Sequence, residues 1–391
     1  MPAKSQRPKS NVRNVTQRRM SRIADIRAAR HRRDSANRKM KIAEGKYCTL
    51  CLNEQEVCVT KTSRKDHSKP ATGKRSPLSN ADNTRLRMLR LVNFESGEYV
   101  TLLPFLGGRV HEIVLKPGKK LLSILESPRT ARDILENVHF AGVKLIPFAG
   151  RIVDGTYPFG GKSYKLRVNS KGNFAIHGFA ADQPYEMGKS TARDDFASIV
   201  LSWTHDGTTK GYPFRFRVRL TYTLSQNEFT CATEIHNIDS QPIPVGDGWH
   251  PYLRTGSPTK KLLLSLPKHS VVEVSDPYKI PTGKLRKPTR GRVTIPLKQK
   301  EMDAVYDFGT RRERVTTRLI DPKLGLEIQL WQESGAGKYR YLIVHRPSSG
   351  TSIAVEPWTC APNSFNNGMG LIVLGPGKKF RAKYGVRLKQ N

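Results

Sequence analysis

The stretch FRFRVRLTYTL, residues 214–224, alternates apolar and polar side chains without interruption. Its even-numbered residues are all aromatic or aliphatic, whereas Arg215, Arg217 and Arg219 occupy odd-numbered positions. A period of two matches the pleat of a β-strand, in which successive side chains point to opposite faces. The stretch therefore predicts an antiparallel strand that is buried on one face and wet on the other.

Residues 91–391 contain many further strand candidates. Segments rich in β-branched and aromatic residues include EFTCATEIHNI, LEIQLWQ, KYRYLIVHR and TSIAVEPW. Turn signals such as KPGKK, HDGTTKG and GPGKK separate them, and no sustained helical pattern interrupts the series. The region is thus predicted to be all-β, a large antiparallel β-sandwich forming one domain over 91–391.

The first 90 residues have a different character. They hold 24 Lys/Arg against 7 Asp/Glu, a net charge of +17 out of +35 for the whole chain, and little that could build a core. We interpret residues 1–90 as a basic low-complexity arm and linker, and expect it to be disordered. Such an arm is either a solvated tail or a contact for nucleic acid or another polyanion.

Compartment is inferred from what the chain lacks. No apolar run reaches the roughly 18 to 20 residues of a membrane span, and the first residues have no apolar signal core. Five scattered cysteines do not make a disulfide framework, which favours a reducing, cytoplasmic location. The Arg-rich start leaves organelle targeting open. A start at Met88 would remove the arm altogether.

The arm also carries a possible metal-ligand set. Cys48, Cys51, Cys58 and His67 could supply four zinc ligands, although their spacing fits no standard pattern. Unligated thiols are the alternative.

Three segments join a predicted strand to a turn and carry a side chain able to transfer protons. They contain His177 in NFAIHGF, His250 in GDGWHPYL and Glu356 in SIAVEPW. Pro follows both His250 and Glu356, which biases the preceding backbone to an extended form. A Glu at the end of an apolar strand is partly desolvated, which raises its pKa toward that of a useful base. For each residue taken alone, a structural His or a solvated Glu is the favoured interpretation.

The motifs together resemble the aldose 1-epimerase family. The resemblance rests on NFESGEYVTLLPFLGGRVHEIVL, IPFAGRI, YPFGGKSYKL, NFAIHGF, IHNIDSQPIPVGDGWHPYL and SIAVEPWTCAPNSFNNGMGLIVLGPGKKF, which occur in family order. It implies the galactose mutarotase-like supersandwich and an isomerase that opens and recloses a sugar ring.

The resemblance also implies roles for residues. Glu356 would be the base and His250 the acid, on opposite sides of the hemiacetal, with roles reversed on reclosure. His177 would support the transfer at the ring oxygen or a neighbouring hydroxyl. Arg151 would donate to sugar hydroxyls or hold a carboxylate. No cofactor and no metal is required by such a reaction.

Other positions are assigned less directly. Asp303 would accept hydrogen bonds from sugar hydroxyls, with Asp307 as the nearby alternative. Trp249 is a candidate flat wall against the sugar ring, and core packing is its alternative. Ile146 and Pro147 stand where many members of the family carry Asn, and Asp247 has no family role that we can assign.

Two functions are compatible with the sequence. The first is a cofactor-independent mutarotase acting on a hexose, with a phosphorylated sugar left open by the basic surface. The second is a carbohydrate-binding or inactive protein of the same fold whose basic arm docks on RNA or another polyanion. The natural sugar and the oligomeric state are not predicted.

Overall fold

The computed structural model describes residues 79–275, 277–298 and 302–390. The predicted disordered arm, its polyanion contact and its zinc ligands therefore lie almost wholly outside the described residues. The first strand begins at Leu89, and the domain division at residue 91 stays a prediction.

Helices are short and few in the described ranges. The α-helices are α1 (Asn80–Arg85), α2 (Ala131–Glu136) and α3 (Ser364–Asn367), and 3₁₀ turns span Ala180–Asp182 and Thr259–Lys261. None of these helices is long and apolar enough to cross a membrane.

A nine-stranded antiparallel sheet forms the larger layer. From edge to edge it contains β18 (Val293–Pro296), β15 (Leu263–Leu266), β20 (Glu313–Asp321), β21 (Leu326–Ser334), β25 (Lys379–Gln390), β12 (Glu228–Asn237), β11 (Phe216–Ser225), β10 (Phe196–His205) and β9 (Glu186–Arg193).

A six-stranded sheet carries most of the candidate site. Its order is β14 (Tyr252–Leu253), β23 (Ile353–Trp358), β22 (Tyr341–Arg346), β19 (Met302–Asp307), β16 (Ser270–Ser275) and β17 (Ile280–Leu285).

Smaller sheets complete the domain. One sheet has four strands, β1 (Leu89–Val92), β2 (Tyr99–Leu103), β3 (Arg109–Leu115) and β4 (Leu122–Ser123). Three pairs are β13 (Ile243–Val245) with β24 (Ile372–Leu374), β5 (Arg151–Val153) with β8 (Phe174–Ile176), and β6 (Thr156–Phe159) with β7 (Lys162–Lys165).

The all-β prediction is confirmed, and the alternating stretch is the strand β11. Burial alternates along it as expected, but the strand begins at Phe216, two residues later than the pattern suggested. The backbone N–H of Arg215 instead donates to the Asp239 side chain at 2.9 Å. A side-chain acceptor has therefore replaced the ladder partner at that end.

Strands β22 and β23 of the six-stranded sheet are buried on both faces. Val344 and Val355 belong to the main core cluster, which also contains Val218 from the nine-stranded sheet. Ile343 and Trp358 belong to a second cluster on the opposite face. Because alternate residues of a strand point to opposite faces, β22 and β23 contribute to both clusters. The second face holds the candidate site.

Candidate active site

Glu356 lies on the second face of the six-stranded sheet. In the register of the strands, Ile343 is opposite Glu356 and Val305 is opposite Ile343. Asp303 lies two residues before Val305, His345 lies two residues after Ile343, and the two are opposite each other. Because residues two apart in a strand share a face, Asp303 and His345 lie on the same face as Glu356.

The Glu356 carboxyl is withdrawn from water, with 1% of the residue exposed. Burial raises its pKa well above the ordinary value, and the nearby Asp303 carboxylate adds to that rise. The Trp358 indole N–H donates to Oε2 at 3.1 Å, and this hydrogen bond and the positive charge of Arg151 both lower the pKa of Glu356. Burial dominates and favours a protonated carboxyl.

His250 faces this carboxyl across a short gap. Its Nε2 lies 3.5 Å from Oε2 of Glu356. The main chain holds the residue in place, because His250 N–H donates to the Val143 carbonyl at 3.1 Å and Gly142 N–H donates to the His250 carbonyl at 2.8 Å. Burial lowers the pKa of the imidazole to about 3, with a further contribution from His345. The contact is therefore a neutral acid and base rather than a salt bridge.

The backbone at His177 adopts an unusual conformation. Its φ of 63° lies in the left-handed region, which non-glycine residues seldom adopt. Gly178 follows with φ of 70°, and a Cβ there would lie 2.1 Å from the Ile146 carbonyl oxygen. Glycine is required at this close approach, and the turn directs His177 toward the site.

The His177 ring packs beside His250. Its centroid lies 5.4 Å from that of His250, 4.7 Å from Phe140 and 5.8 Å from Trp358. Gly150 N–H donates to Nδ1 at 3.3 Å. Burial lowers the pKa of His177 well below its ordinary value, so the ring is neutral. With Nδ1 accepting, the proton resides on Nε2, which is then a hydrogen-bond donor.

Arg151 lies at the start of β5, the strand that pairs with β8. It pairs with Ile176 in the β5–β8 ladder, directly before His177 in the chain. The carbonyl of Arg151 accepts from Asn363 N–H at 2.7 Å, which ties this strand to the start of α3. Its positive charge lowers the pKa of both His177 and Glu356. The guanidinium thus acts electrostatically on both residues.

The structure separates the two acidic candidates. Asp303 is exposed, and its carboxylate is 3.9 Å from Nδ1 of His345, so it remains accessible beside Glu356. Asp307 is buried and accepts from the Arg340 guanidinium at 2.7 and 2.5 Å. A carboxylate engaged in this bidentate pair is committed to structure.

Trp249 packs in the core, as in the alternative interpretation, rather than providing a flat wall beside His250 and Glu356. Its side chain is completely buried and stacks on Tyr384 with centroids 4.9 Å apart, with Phe229 on another side. The tryptophan at the site is Trp358. Trp331 is also remote, because its indole N–H donates to Glu228 on β12.

Four residues at the site were not assigned from sequence. Trp358 is two positions after Glu356 in β23, so the period of two already placed it on the same face. Tyr252 packs its ring 5.1 Å from that of His250. Phe140 and His345 carry no local signal, because a turn and a separate strand bring them to the site.

The chain's possible metal ligands do not cluster in the described ranges. No group of three or more His, Cys, Asp or Glu residues there is arranged to hold a metal ion.

The chain belongs to the aldose 1-epimerase family, because residues 90–387 match the sequence model of that family. The bacterial protein YihR of Escherichia coli, itself uncharacterised, is 26% identical over 253 residues, which cover 63% of this chain and 78% of YihR.

Solved structures show the same fold. A galactose mutarotase-like protein from Clostridium acetobutylicum superposes with a TM-score of 0.66 at 19% identity, covering 78% of this chain and 96% of that one. A galactose 1-epimerase from Lactobacillus acidophilus gives a TM-score of 0.64 at 15% identity, covering 86% of this chain and all of the other. The predicted family and fold are confirmed.

Proposed function

We propose that this protein is an aldose 1-epimerase that interconverts the α and β anomers of a hexose. Glu356 and His250 open and reclose the ring. The observation that carries the proposal is the 3.5 Å contact between Nε2 of His250 and Oε2 of Glu356, both of which are buried. An acid and a base in contact away from water match a reaction that needs one of each.

The reaction moves two protons and breaks one bond. Glu356 takes the proton of the C1 hydroxyl while His250 gives a proton to the ring oxygen, so that the C1–O5 bond breaks and C1 becomes an aldehyde carbon. Rotation about C1–C2 presents the other face of the carbonyl. Reclosure returns both protons, with Glu356 as the acid and His250 as the base.

The contact distance refines the expected geometry. The sequence-based expectation placed base and acid on opposite sides of the hemiacetal, whereas their reactive atoms lie 3.5 Å apart. Both sugar oxygens involved are bonded to C1, so one adjacent pair can serve both. C1 then lies next to both side chains, with its hydroxyl against Glu356 and the ring oxygen against His250.

The pair needs one transferable proton, and its pKa values keep one there. Burial raises the pKa of Glu356 and lowers that of His250 to about 3, which favours a single proton on the pair. Opening with Glu356 as base starts when that proton is on His250. The positive charge of Arg151 favours this form, because it stabilises the Glu356 carboxylate.

The surrounding residues would bind the sugar. Nε2–H of His177 donates to the ring oxygen or a neighbouring hydroxyl, and Arg151 donates to hydroxyls. Asp303 accepts from hydroxyls at the exposed rim, and the indole of Trp358 provides an apolar surface. Trp249 has no part in this arrangement.

The setting of the reaction is also part of the proposal. The two cysteines among the described residues, Cys231 and Cys360, are both free and buried. A cytoplasmic enzyme acting on a soluble hexose suits that chemistry.

Polarimetry tests the proposal directly. Freshly dissolved α-glucose and α-galactose should reach rotational equilibrium faster with the full chain than in buffer. Glu356→Gln should abolish the excess rate, whereas Glu333→Gln, which alters a half-buried glutamate on β21 paired with Lys338, should keep it. No excess rate from the wild-type chain on any aldose offered would refute the enzyme.

The alternative function predicts a different pattern. A carbohydrate-binding or inactive member of the family would bind sugars, for example in calorimetry, with no excess rate. In that case Glu356→Gln would alter binding without any kinetic effect.

A further inference from the structure

A second buried acid–base pair lies beside the site. Nζ of Lys144 is 2.7 Å from Oδ1 of Asp247 and 2.9 Å from Oδ2, and both side chains have no exposed surface. Asp247 is the carboxylate for which the sequence offered no role. Lys144 was not singled out by any sequence pattern.

The pair is surrounded by further polar contacts. The hydroxyl of Tyr339 donates to Oδ2 of Asp247 at 2.6 Å, and Lys144 donates to the Thr233 hydroxyl at 3.1 Å. The Lys144 ammonium also sits 4.8 Å from the ring centroid of Tyr384. We refer to Lys144, Asp247, Tyr339 and Thr233 as the buried Lys144 network.

Stability alone does not account for such a network. Removing two charges from water is costly, and apolar side chains of similar volume are commonly as stabilising or more so. A buried pair instead specifies one arrangement of the segments that carry it, because any shift leaves a charge without its partner.

The first segment joined in this way carries His250. Lys144 forms an isolated antiparallel bridge with Trp249, the residue directly before His250. Leu145 N–H donates to the Gly248 carbonyl at 2.9 Å. The ion pair therefore connects the strand-like segments on which Lys144 and His250 lie.

The second segment carries Glu356. The backbone N–H of Asp247 donates to the Thr359 hydroxyl at 2.9 Å, and Thr359 N–H donates to the Asp247 carbonyl at 2.9 Å. Thr359 directly follows Trp358, whose indole donates to Glu356. The main chain of Asp247 thus binds the end of β23, while its carboxylate binds Lys144, so the residue links both segments.

We infer that Lys144 and Asp247 are positioning residues that set the separation of His250 and Glu356 for proton transfer. The side-chain partners of Lys144 and Asp247 are each other, Thr233 and Tyr339 rather than His250 or Glu356, and the two residues act through the main chain of the two segments. The inference rests on the proposed function. It adds that the catalytic spacing is set by a charge pair outside the pocket.

The test replaces the pair by apolar side chains in the full chain. In Lys144→Met/Asp247→Leu no charge is left alone, and the hydroxyls of Tyr339 and Thr233, 3.1 Å apart, can still bond each other. A displacement of about 1 Å can cost up to roughly 100-fold in rate. We expect kcat per folded molecule to fall by roughly 10- to 100-fold, with KM changed by less than about threefold.

Tyr339→Phe is the milder companion variant. It removes one donor to Asp247 and keeps the ion pair, so it decides the matter if the double variant does not fold. We expect a fall in kcat of a few fold at unchanged KM. Wild-type kcat and an unchanged pH–rate profile in the folded variants, or in Tyr339→Phe if it alone folds, would overturn the inference.

A readout without turnover separates this inference from the proposed function. If the wild-type chain shows no epimerase rate, the proposed function fails. The positional claim is then decided by titrating the His250 imidazole with ¹⁵N NMR in the same variants. A changed titration midpoint supports positioning by the network, and an unchanged midpoint contradicts it.

Discussion

Two buried acid–base pairs lie in this chain, with Asp247 of one pair three residues before His250 of the other, and they differ in the number of further partners that hold them. Lys144 and Asp247 are 2.7 Å apart and have further partners in Tyr339 and Thr233. His250 and Glu356 are 3.5 Å apart.

Within the described residues, Nδ1 of His250 has no hydrogen-bond partner, and Glu356 has one donor, Trp358. Oδ1 of Asp247 likewise has no hydrogen-bond partner and contacts only the Lys144 ammonium, whereas Oδ2 and the ammonium are held by Tyr339 and Thr233. A pair held by several further partners resists change, whereas a loosely bonded buried pair retains the capacity to exchange a proton with a ligand. Burial alone therefore does not distinguish a structural pair from a reactive one.

The largest expected effect comes from breaking the reactive pair. His250→Asn removes the acid, and positioned acid–base groups typically contribute roughly 10²–10⁴-fold. Polarimetric kcat should fall by that factor, whereas His236→Asn, a change on a strand of the large sheet, should leave it unchanged. A wild-type rate in His250→Asn would remove this residue from the mechanism.

Breaking the structural pair should instead reduce stability. Lys144→Met leaves Asp247 as an uncompensated buried charge, which costs roughly 3–5 kcal/mol in the free energy of unfolding. Urea denaturation measures this loss, and Lys144→Met/Asp247→Leu should recover most of it. Lys379→Met, at a surface pair with Glu234, should cost about 0–1 kcal/mol. Equal losses of stability in Lys144→Met and Lys379→Met would show that the buried pair is no more important to stability than the surface pair.

The Glu356 carboxyl should make the free energy of unfolding depend on pH. Folding raises the pKa of Glu356, so its stability contribution is complete below the ordinary pKa of 4.5 and is lost as pH rises toward the folded value. Glu356→Gln should therefore gain on the wild type by up to about 1.4 kcal/mol per pH unit over that window. Chemical denaturation at pH 4.5 and 7.5 tests this. A pH-independent difference would show that the carboxyl is not held protonated.

The smallest effect concerns a single hydrogen bond. Trp358→Phe removes the donor to Glu356, and that hydrogen bond lowers the pKa of the carboxyl. The alkaline limb of kcat/KM should move to higher pH, with a loss in kcat of only a few fold. Trp331→Phe, far from the site, is the matched control. A shift to lower pH would exclude the assigned contact.

Some of this site could be predicted because the information is local. The period of two placed Trp358 on the face of Glu356, and the turn at His177 and Gly178 was evident as a strand end followed by glycine. The motifs around Glu356 and His250 indicated the family, and residues 90–387 bear this out. The face of a strand is determined by its own sequence, since side chains alternate along it.

Other features depended on which strands became neighbours. Trp249 and His250 are adjacent in sequence, yet the first packs in the core and the second faces Glu356. Asp303 and Asp307 share a strand, and only the position of Arg340 shows that Asp307 is committed to an ion pair.

The alternating stretch, the turns and the family motifs were enough to determine an antiparallel β-sandwich and the residues able to transfer protons. Only the tertiary structure decided which of these residues meet, which tryptophan lies beside them and that Lys144 finds Asp247 103 residues away. The physical reason is that a strand's sequence specifies its buried face, whereas its partners are chosen by packing and charge pairing across the whole domain.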